Sequence, residues 1–307
     1  MPTTHHFRPT HYHHTIGSHE PVLTIADGDT VVTTTIDAFG RDEDDAQAAP
    51  RGNPMVGPFY VQGAEAGDGL AFHIERITPN RKVGRIFTAL AANTVLPEYT
   101  GQLPERGEGE FRLDLDEGTA TLIHPTTQLG TFSVPIQPMI GCFGVAPVRG
   151  QFISTLTSGE FGGNMDYRGF AAGVTVYFPV FMPGALVHLG DVHAWQADGE
   201  ILGTGIEVSA EVQFSVRVLK SQKIGTVRGE NETHIFTAGN ARPLDQALQI
   251  ATTEMDAWLR QAYGLDARSA GLLLGHYVQY EVGNVFDPAY TMICKLPKTA
   301  LAAFRKV

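Results

Sequence analysis

The sequence is organised around residues 157–219, which read TSGEFGGNMDYRGFAAGVTVYFPVFMPGALVHLGDVHAWQADGEILGTGIEVSAEVQFSVRVL. Two apolar runs, 174–181 and 185–189, have the composition of strands. Residues 206–218 then alternate strictly between apolar and polar side chains. A period of two is typical of a strand with one buried face, so this segment predicts a long antiparallel strand with one face in water.

Between these strands lies an acidic segment, which predicts a turn that contains a metal site or an acid–base site. It reads Gly190-Asp-Val-His-Ala-Trp-Gln-Ala-Asp-Gly-Glu200. In an extended backbone, the spacing of two aims Asp191 and His193 the same way. An aspartate and a neutral imidazole, joined by a carboxylate from elsewhere, suit Zn²⁺, Mn²⁺ or, with more oxygens, Ca²⁺. A hydrogen-bonded structural pair is the alternative interpretation of this short motif.

Composition and periodicity together predict a mainly β fold. The 34 glycines and 18 prolines of the 307 residues punctuate many short strand-like runs. From Pro243 to Gly264 apolar residues recur at steps of three and four, which indicates a helix, and a second short helix is expected near 266–274. We expect β-sandwich-like antiparallel sheets with one substantial C-terminal helix packed on them, in a single domain over residues 1–307.

The charge balance narrows the class of partner. The formal net charge is −11, which disfavours nucleic acid or an anionic membrane as the main partner. No apolar run approaches the ~20 residues of a membrane helix, and no secretory signal is expected from the first residues. Two cysteines are too few for a disulfide framework, so we expect a cytoplasmic protein. A small neutral or cationic ligand fits the net charge of −11 better than nucleic acid or an anionic membrane does.

Three other stretches contain candidate site residues. The loop Gly162-Gly-Asn-Met-Asp166 offers backbone N–H groups and polar side chains that could hold an oxyanion, although a tight turn is an equal alternative. Asp37 stands at the exit of a β-branched run, and Glu65 precedes a predicted turn. The first nineteen residues hold six of the twelve histidines, of which His13 is one.

Several familiar catalytic motifs are missing from the sequence. It contains no G-x-S-x-G nucleophile elbow, no G-x-G-x-x-G after a strand, no P-loop and no H-E-x-x-H. Metal-assisted or carboxylate-based chemistry is therefore the most natural interpretation if the chain is an enzyme.

A family resemblance connects these scattered stretches. The motifs that carry it, in chain order, are Glu20-Pro-Val-Leu-Thr24, Ile36-Asp-Ala-Phe39, Asn53-Pro54, Gly57-Pro58, Gly63-Ala-Glu-Ala-Gly-Asp68, Gly162-Gly-Asn-Met-Asp166, Gly184-Ala-Leu186, Leu189-Gly-Asp-Val-His-Ala194, Asp198-Gly-Glu200, Gly203-Thr204 and Arg242-Pro-Leu-Asp-Gln-Ala247. Together they resemble the acetamidase/formamidase family over nearly the whole chain. The sequence departs from the family pattern at two places: Gln196-Ala-Asp198 replaces the usual Gln-Gly-Asp, and residues 42–45 form an acidic loop where many members have Gly-Gly. The second departure could reshape the pocket mouth and so change the choice of substrate.

The resemblance implies an amidase that releases ammonia and a carboxylic acid from short linear amides. It further implies a mainly β fold, a homo-oligomer and a divalent metal, for which zinc is the first choice and calcium or manganese the alternatives. Matching positions mark the pocket candidates Asp37, Glu65, Asn164, Asp166, Asp191, His193 and Glu200, and His13 matches an N-terminal histidine of the family. The hypothesis built on them has His193, Asp191, Asp37 and His13 as metal ligands. It has Glu65 or Glu200 as general base, Gly163 and Asn164 as oxyanion donors, and Asp166 in the pocket.

Two alternatives remain open at this stage. The chain could be a non-catalytic β module that binds a metal or a small polar ligand, since period-two strands and an acidic surface suit that as well. It could also hydrolyse a cyclic amide at the same site.

Overall fold

A computed structural model describes residues 1–126 and 128–304 and contains 21 strands and two α-helices within them. The first eleven strands are β1 (Thr4–Phe7), β2 (Thr15–Ile16), β3 (Leu23–Ile25), β4 (Thr30–Thr35), β5 (Val56–Val61), β6 (Gly69–Pro79), β7 (Val83–Phe87), β8 (Glu108–Asp114), β9 (Thr119–Leu122), β10 (Ser133–Pro135) and β11 (Met139–Gly144). The remaining elements are β12 (Ile153–Ser154), β13 (Ser158–Gly159), β14 (Gly162–Asn164), β15 (Thr175–Pro179), β16 (Val187–His193), β17 (Ala210–Leu219), β18 (Arg228–Glu230), β19 (His234–Ala241), α1 (Leu244–Tyr263), α2 (Ala267–Tyr277), β20 (Gln279–Val282) and β21 (Tyr290–Pro297).

Two large sheets dominate the fold, which confirms the predicted mainly β class. The larger has nine strands in the order β1-β4-β17-β6-β15-β18-β19-β21-β20. The second has six strands in the order β13-β14-β11-β16-β5-β3, and sheets of four and two strands complete the set within the described residues. Pairing is antiparallel except between β1 and β4 and between β3 and β5. Strands β11 and β16, which carry much of the candidate site, therefore lie in the middle of the six-stranded sheet.

Aromatic side chains pack the two large sheets face to face. Phe72 on β6 and Phe214 on β17 stack with ring centroids 4.5 Å apart. From the six-stranded sheet, Phe143 lies 5.5 Å from Phe72, and Phe59 lies 5.5 Å from Phe214. All four rings are fully buried. Offset and edge-to-face pairs of this kind add about 0.5–1.5 kcal/mol each to ordinary burial, so this cluster is the centre of the sandwich.

Strand β17 confirms the alternation seen in the sequence but begins later than predicted. Ala210, Val212, Phe214 and Val216 are buried, and the intervening polar residues are half-buried. The expected start at residue 206 is wrong, because residues 206–209 leave the nine-stranded sheet. Glu207 forms isolated bridges with Arg85 and His193 instead.

Helix α1 confirms the predicted C-terminal helix and covers β19. Gly264, with φ 63°, caps its C-terminus in the left-handed conformation that glycine adopts most easily. Gly239 on β19 allows close approach, since a Cβ there would lie 2.0 Å from the carbonyl oxygen of Ala247. The second helix, α2, begins after Asp266, whose side chain accepts a hydrogen bond from the backbone N–H of Ser269 at 2.7 Å.

Two further expectations concern the cysteines and membrane spans. Cys142 and Cys294 are both buried and free, and burial raises the pKa of the Cys142 thiol well above its ordinary value, as expected for inert packing. Within the described residues, no helix combines the length and apolar character that a membrane crossing needs.

Candidate active site

Asp191 and His193 lie in a strand and not in the turn predicted from the sequence. Strand β16 is buried along its whole length and lies between β11 and β5 in the six-stranded sheet. The turn begins only after His193 and contains Glu200. The error arises because a strand buried on both faces has no polar–apolar alternation to mark it.

Six buried titratable residues converge beside this strand, and we call them the acid–imidazole cluster. Its members are Asp166, Asp191, His193, Glu200, Glu207 and Asp287. They form three overlapping groups, in each of which one ligand atom per residue lies within 4.8 Å of the others. The Nε2 atom of His193 lies 3.0 Å from Glu207 Oε1, 3.5 Å from Asp191 Oδ1 and 3.9 Å from Asp166 Oδ1. His193 is therefore the centre of the cluster.

The side chain of Gln196 fixes which nitrogen of His193 faces the carboxylates. Its Nε2 donates to the backbone carbonyls of Asp166 and Gly283, so its Oε1 must face the ring. Because that oxygen can only accept, Nδ1 of His193 is the donor in their 2.8 Å hydrogen bond. The Nε2 atom therefore faces the carboxylates. Metal-bound histidines are held in the same way, with the other ring nitrogen fixed by a hydrogen bond.

Burial and mutual repulsion perturb the cluster strongly. Burial raises the pKa of Asp287 to about 7 and that of Glu207 to about 8, and it raises the pKa values of Asp166 and Glu200 well above their ordinary range. Burial lowers the pKa of His193, but the charges of Glu207 and Asp191 outweigh it, and the net pKa is well above ordinary. Perturbation of this size at several neighbouring groups is typical of functional sites.

The donor set fits a divalent cation. Both carboxylate oxygens of Asp166, together with Asp191 Oδ1 and Glu207 Oε2, are buried without a hydrogen-bond partner. His193 Nε2 faces three carboxylates, but none of them makes a well-directed hydrogen bond with it. Buried polar atoms are nearly always hydrogen-bonded, and like charges this close repel each other unless protons or a cation separate them. A cation would satisfy these atoms together and displace the second imidazole proton. These residues could therefore hold a metal ion.

A frame of two asparagines holds the carboxylates on the cavity side. Asn53 Nδ2 donates to Asp191 Oδ2 at 2.9 Å and to Asn164 Oδ1 at 2.7 Å. Asn164 Nδ2 in turn donates to Asp287 Oδ2 at 2.6 Å. The frame ties together a loop, β14 and the segment after β20, so residues far apart in sequence keep one geometry.

The backbone around the cluster is unusual in a way that fits function. Asn53, Asp166, Asp191 and Glu200 have φ values of 53°, 41°, 56° and 48°, in the left-handed region that non-glycine residues rarely adopt. Such conformations cost about 1–3 kcal/mol each and concentrate at active sites.

Two glycines leave the space that the cluster occupies. A Cβ on Gly141 would lie 2.3 Å from Asp166 Oδ1 and 2.9 Å from Asp191 Oδ2. A Cβ on Gly205 would lie 2.4 Å from His193 Nδ1. No side chain larger than hydrogen fits at either position without moving a member of the cluster.

A cavity of about 320 Å³ joins the cluster to solvent. Asp191, Glu200 and Asp287 line its polar end beside Asn53 and Asn164. The apolar wall of the cavity is formed by Phe39, Phe87, Leu156 and Phe286. A small molecule could thus reach three of the five carboxylates from outside.

The structure brings five of the sequence-predicted site residues together. Asp166, Asp191, His193 and Glu200 belong to the cluster, and Asn164 contacts it through its amide. Gly163 precedes Asn164 on β14, where it pairs with Phe143 and Ser158, and it is not among the residues that line the cavity.

Three other candidates lie outside the acid–imidazole cluster. Asp37 is fully buried, but its Oδ2 accepts a hydrogen bond from Arg81 Nη2 at 2.5 Å, and this ion pair accounts for its burial. Glu65 is exposed, and its backbone N–H donates to Asp68.

His13 belongs to a separate group of rings. It stacks on His19 with centroids 3.7 Å apart and lies 6.2 Å from the ring of His188. Burial and the neighbouring histidines lower the pKa of His13 to about 4.

Sequence reasoning misses four important residues of the site. The alternation of the long strand places Glu207 on its wet face, yet this residue is 1% exposed. Asn53 has the pattern of a turn residue, and Gln196 stands out only as part of a motif. Asp287 lies in the C-terminal part of the chain, where no local pattern distinguishes an active-site acid from a loop acid.

Comparison with known proteins agrees with this site. The model of the acetamidase/formamidase family matches residues 148–270, which include five members of the cluster and none of the N-terminal histidines. The acetamidase of Mycolicibacterium smegmatis is 35% identical over 91 residues, which are 29% of this chain and 22% of that protein. The matched stretch thus spans about a fifth of the length of that curated relative.

Solved structures extend the similarity over the whole chain. An acetamidase from Yersinia enterocolitica has a TM-score of 0.84 and 32% identity, covering 98% of this chain and 94% of that one. A predicted acetamidase/formamidase from Thermoanaerobacter tengcongensis has a TM-score of 0.86 and 28% identity, covering 99% of both chains. This similarity over the full length shows that the chain belongs to the acetamidase/formamidase family.

Proposed function

We propose that this protein hydrolyses the C–N bond of short primary amides, releasing a carboxylate and ammonia. The observation that carries the proposal is the buried acid–imidazole cluster at the end of a solvent-connected cavity, in a chain of the acetamidase/formamidase family. Amide hydrolysis needs an activated water, a group that stabilises the developing oxyanion and a proton for the leaving nitrogen. Residues at the polar end of the cavity can supply all three.

The cluster divides into an inner and an outer part. His193, Asp166 and Glu207 do not line the cavity, and their unpartnered atoms make them the proposed holders of a divalent cation together with Asp191. When bound, the cation would polarise the amide carbonyl and lower the pKa of water towards ~7. Histidine with carboxylates suits zinc, which we propose first, and the excess of carboxylate oxygens keeps manganese and calcium as alternatives.

Glu200 is the general base that the geometry favours over Glu65. It reaches the cavity, and burial raises its pKa well above the ordinary range, which makes its carboxylate a stronger base near neutrality. It would take a proton from the attacking water and return it to the nitrogen as the C–N bond breaks. Exposed Glu65, next to Asp68, has neither property.

Asn164 is the candidate that orients the substrate. Its Nδ2 donates to Asp287 at 2.6 Å and carries a second hydrogen for the carbonyl oxygen of an amide at the cavity wall. A donor placed in this way before the reaction contributes about 10²–10³-fold when it stabilises an oxyanion.

Ammonia release from formamide and acetamide tests the proposal. We expect His193→Ala and Glu200→Gln each to lower kcat/KM at least about 100-fold. His73→Ala is the matched control, because this half-buried histidine lies on β6 with a hydrogen bond to Thr175 at 2.9 Å, outside the site.

Two outcomes would contradict the proposal in different ways. Full activity of His193→Ala would overturn the site assignment. Cation-dependent thermal stabilisation without turnover of any amide would instead support a non-catalytic binding module. A homo-oligomer is also part of the proposal, and sedimentation analysis of the purified chain measures it.

A further inference from the structure

We propose that the preferred substrates are primary amides whose acyl part carries an aromatic ring or a similarly bulky apolar group. This inference rests on the proposed amidase function and names the substrate class that the cavity selects. It is carried by the apolar wall of the cavity, which consists of Phe39, Phe87, Leu156 and Phe286.

The size of the cavity exceeds what formamide or acetamide needs. Ligand pockets of about 300–1,000 Å³ hold drug-sized molecules, and at about 320 Å³ this cavity is within that range. An amide with one carbon or two would occupy only the polar end. Phe39 is already buried, but water would then contact the half-buried Phe87 and Phe286 and the exposed Leu156. The free energy of burying these exposed parts would be unused.

Phe87 and Phe286 form one side of the apolar wall, and Arg106 clamps them. The Cζ atom of Arg106 lies 3.9 Å from the centroid of the Phe87 ring and 4.8 Å from that of Phe286. Gly203 makes this packing feasible, because a Cβ there would lie 2.7 Å from the Phe286 ring. The backbone N–H of Phe87 also donates to Thr204 Oγ1 at 2.8 Å.

Phe39 packs against Phe87 and is held by residues that follow the acidic loop, the segment that departs from the family pattern. Gln47 Nε2 donates to the carbonyl of Phe39 at 2.7 Å, and the guanidinium of Arg51 lies 4.6 Å from its ring centroid. Asp45 of the same loop forms an ion pair with Arg85 on β7. The loop and the residues that follow it therefore fix an aromatic ring at the cavity wall.

The polarity of the cavity orients such a substrate in one direction. Its carboxamide would point to Asn164 and the carboxylates, and its ring would point to the phenylalanines. Aromatic rings prefer edge-to-face and offset contacts, and Phe39 and Phe87 already pack edge to face with centroids 5.7 Å apart. Because the wall is already formed, binding has to order few side chains. The entropic cost of binding is therefore small, which favours affinity.

The experiment compares kcat/KM for ammonia release from acetamide, butanamide, hexanamide and phenylacetamide. We expect a steady rise along the series, with phenylacetamide at least about tenfold above acetamide, since one methylene in an apolar pocket is worth about tenfold or more. In Phe87→Ala the ratio of phenylacetamide to acetamide should fall by about tenfold. Phe132→Ala is the matched control, because this exposed phenylalanine packs on Phe111 outside the cavity, and it should keep the wild-type ratio.

The possible results separate this inference from the proposed function. Turnover with acetamide at least as good as phenylacetamide, or an unchanged ratio in Phe87→Ala, overturns the inference and leaves the amidase function standing. No turnover of any amide overturns the function. Calorimetry with phenylacetamide and acetamide then decides the inference, because equal affinities, or binding of neither, would contradict it.

Discussion

Gly141→Ala tests whether the carboxylates must stand where the structure has them. Ordinary contacts of a Cβ begin at about 3.4 Å, whereas the new methyl would lie 2.3 Å from Asp166 Oδ1 and 2.9 Å from Asp191 Oδ2. Asp166 must therefore retreat by roughly 1.1 Å and Asp191 by roughly 0.5 Å, taking each as the difference from 3.4 Å. The backbone oxygen of Asp191, 3.0 Å away, limits how much β16 itself can yield.

Displacement on this scale should disable the site without unfolding the chain. A misplacement of about 1 Å can cost about 100-fold in rate, and overpacking a core costs about 1–3 kcal/mol of stability. We expect kcat/KM for acetamide to fall by about 100-fold and the affinity for a divalent cation, measured by competition with a chromophoric chelator, to fall by at least about tenfold. Circular dichroism should show the same strand content as wild type.

A second glycine-to-alanine variant provides the control. Gly271 lies on an exposed face of α2, where an added Cβ would meet nothing within 4 Å, so Gly271→Ala should stabilise the helix by about 0.5–1 kcal/mol and leave activity unchanged. If Gly141→Ala binds the cation and turns over acetamide within about threefold of wild type, the carboxylate positions do not determine the chemistry, and the reasoning from this geometry fails.

The remaining predictions concern the support of the imidazole, the pH dependence of stability and a buried ion pair. Gln196→Met removes the acceptor of the imidazole Nδ1 proton, and the Kd for a divalent cation should rise about 10- to 100-fold in the same chelator competition, whereas an unchanged Kd contradicts that role. Burial raises the pKa of Glu207 to about 8 and of Asp287 to about 7, from ordinary values of 4.5 and 3.8, so the folded chain holds these protons more tightly than the unfolded chain. Their contribution to the stability of the metal-free protein is therefore fully present below about pH 4 and is lost as the pH rises to about 8. In urea unfolding between pH 4.5 and 8, Glu207→Gln should lose less stability with rising pH than wild type, and an equal loss would count against a buried proton on this group. Asp37→Asn removes the buried partner charge of Arg81 and leaves only the half-buried carboxylate of Asp45, 3.5 Å away. The free energy of unfolding should therefore fall by about 3 kcal/mol, while the amount of bound cation, measured by atomic spectroscopy, stays the same. Loss of the cation would instead support Asp37 as a ligand.

Local patterns in the sequence predict the sheets and the main helix well. The alternation of 210–218 and the steps of three and four after Pro243 each reflect one buried face of a single element, and a short stretch of sequence is enough to show it. The motif around Asp191 and His193 likewise marks two residues that the structure brings into the acid–imidazole cluster, although it places them in a turn. Strand β16 is buried on both faces, and periodicity cannot reveal such a strand.

The complete site could not be predicted from local patterns because long-range pairing assembles it. Asn53, Asn164 and Asp287 meet only when three distant segments come together, and no spacing rule connects them. Glu207 shows the opposite failure: a strict alternation places it in water, but the chain leaves the sheet before Ala210 and turns its carboxylate towards His193.

The most direct test of the central claim is one titration on the wild-type chain. The protein is stripped of metal with a chelator, and ammonia release from acetamide and phenylacetamide is then measured together with metal content as a divalent cation is added back. We predict negligible turnover in the stripped protein and recovery in proportion to the bound cation. Full activity in a sample without measurable metal would contradict the role given to the acid–imidazole cluster.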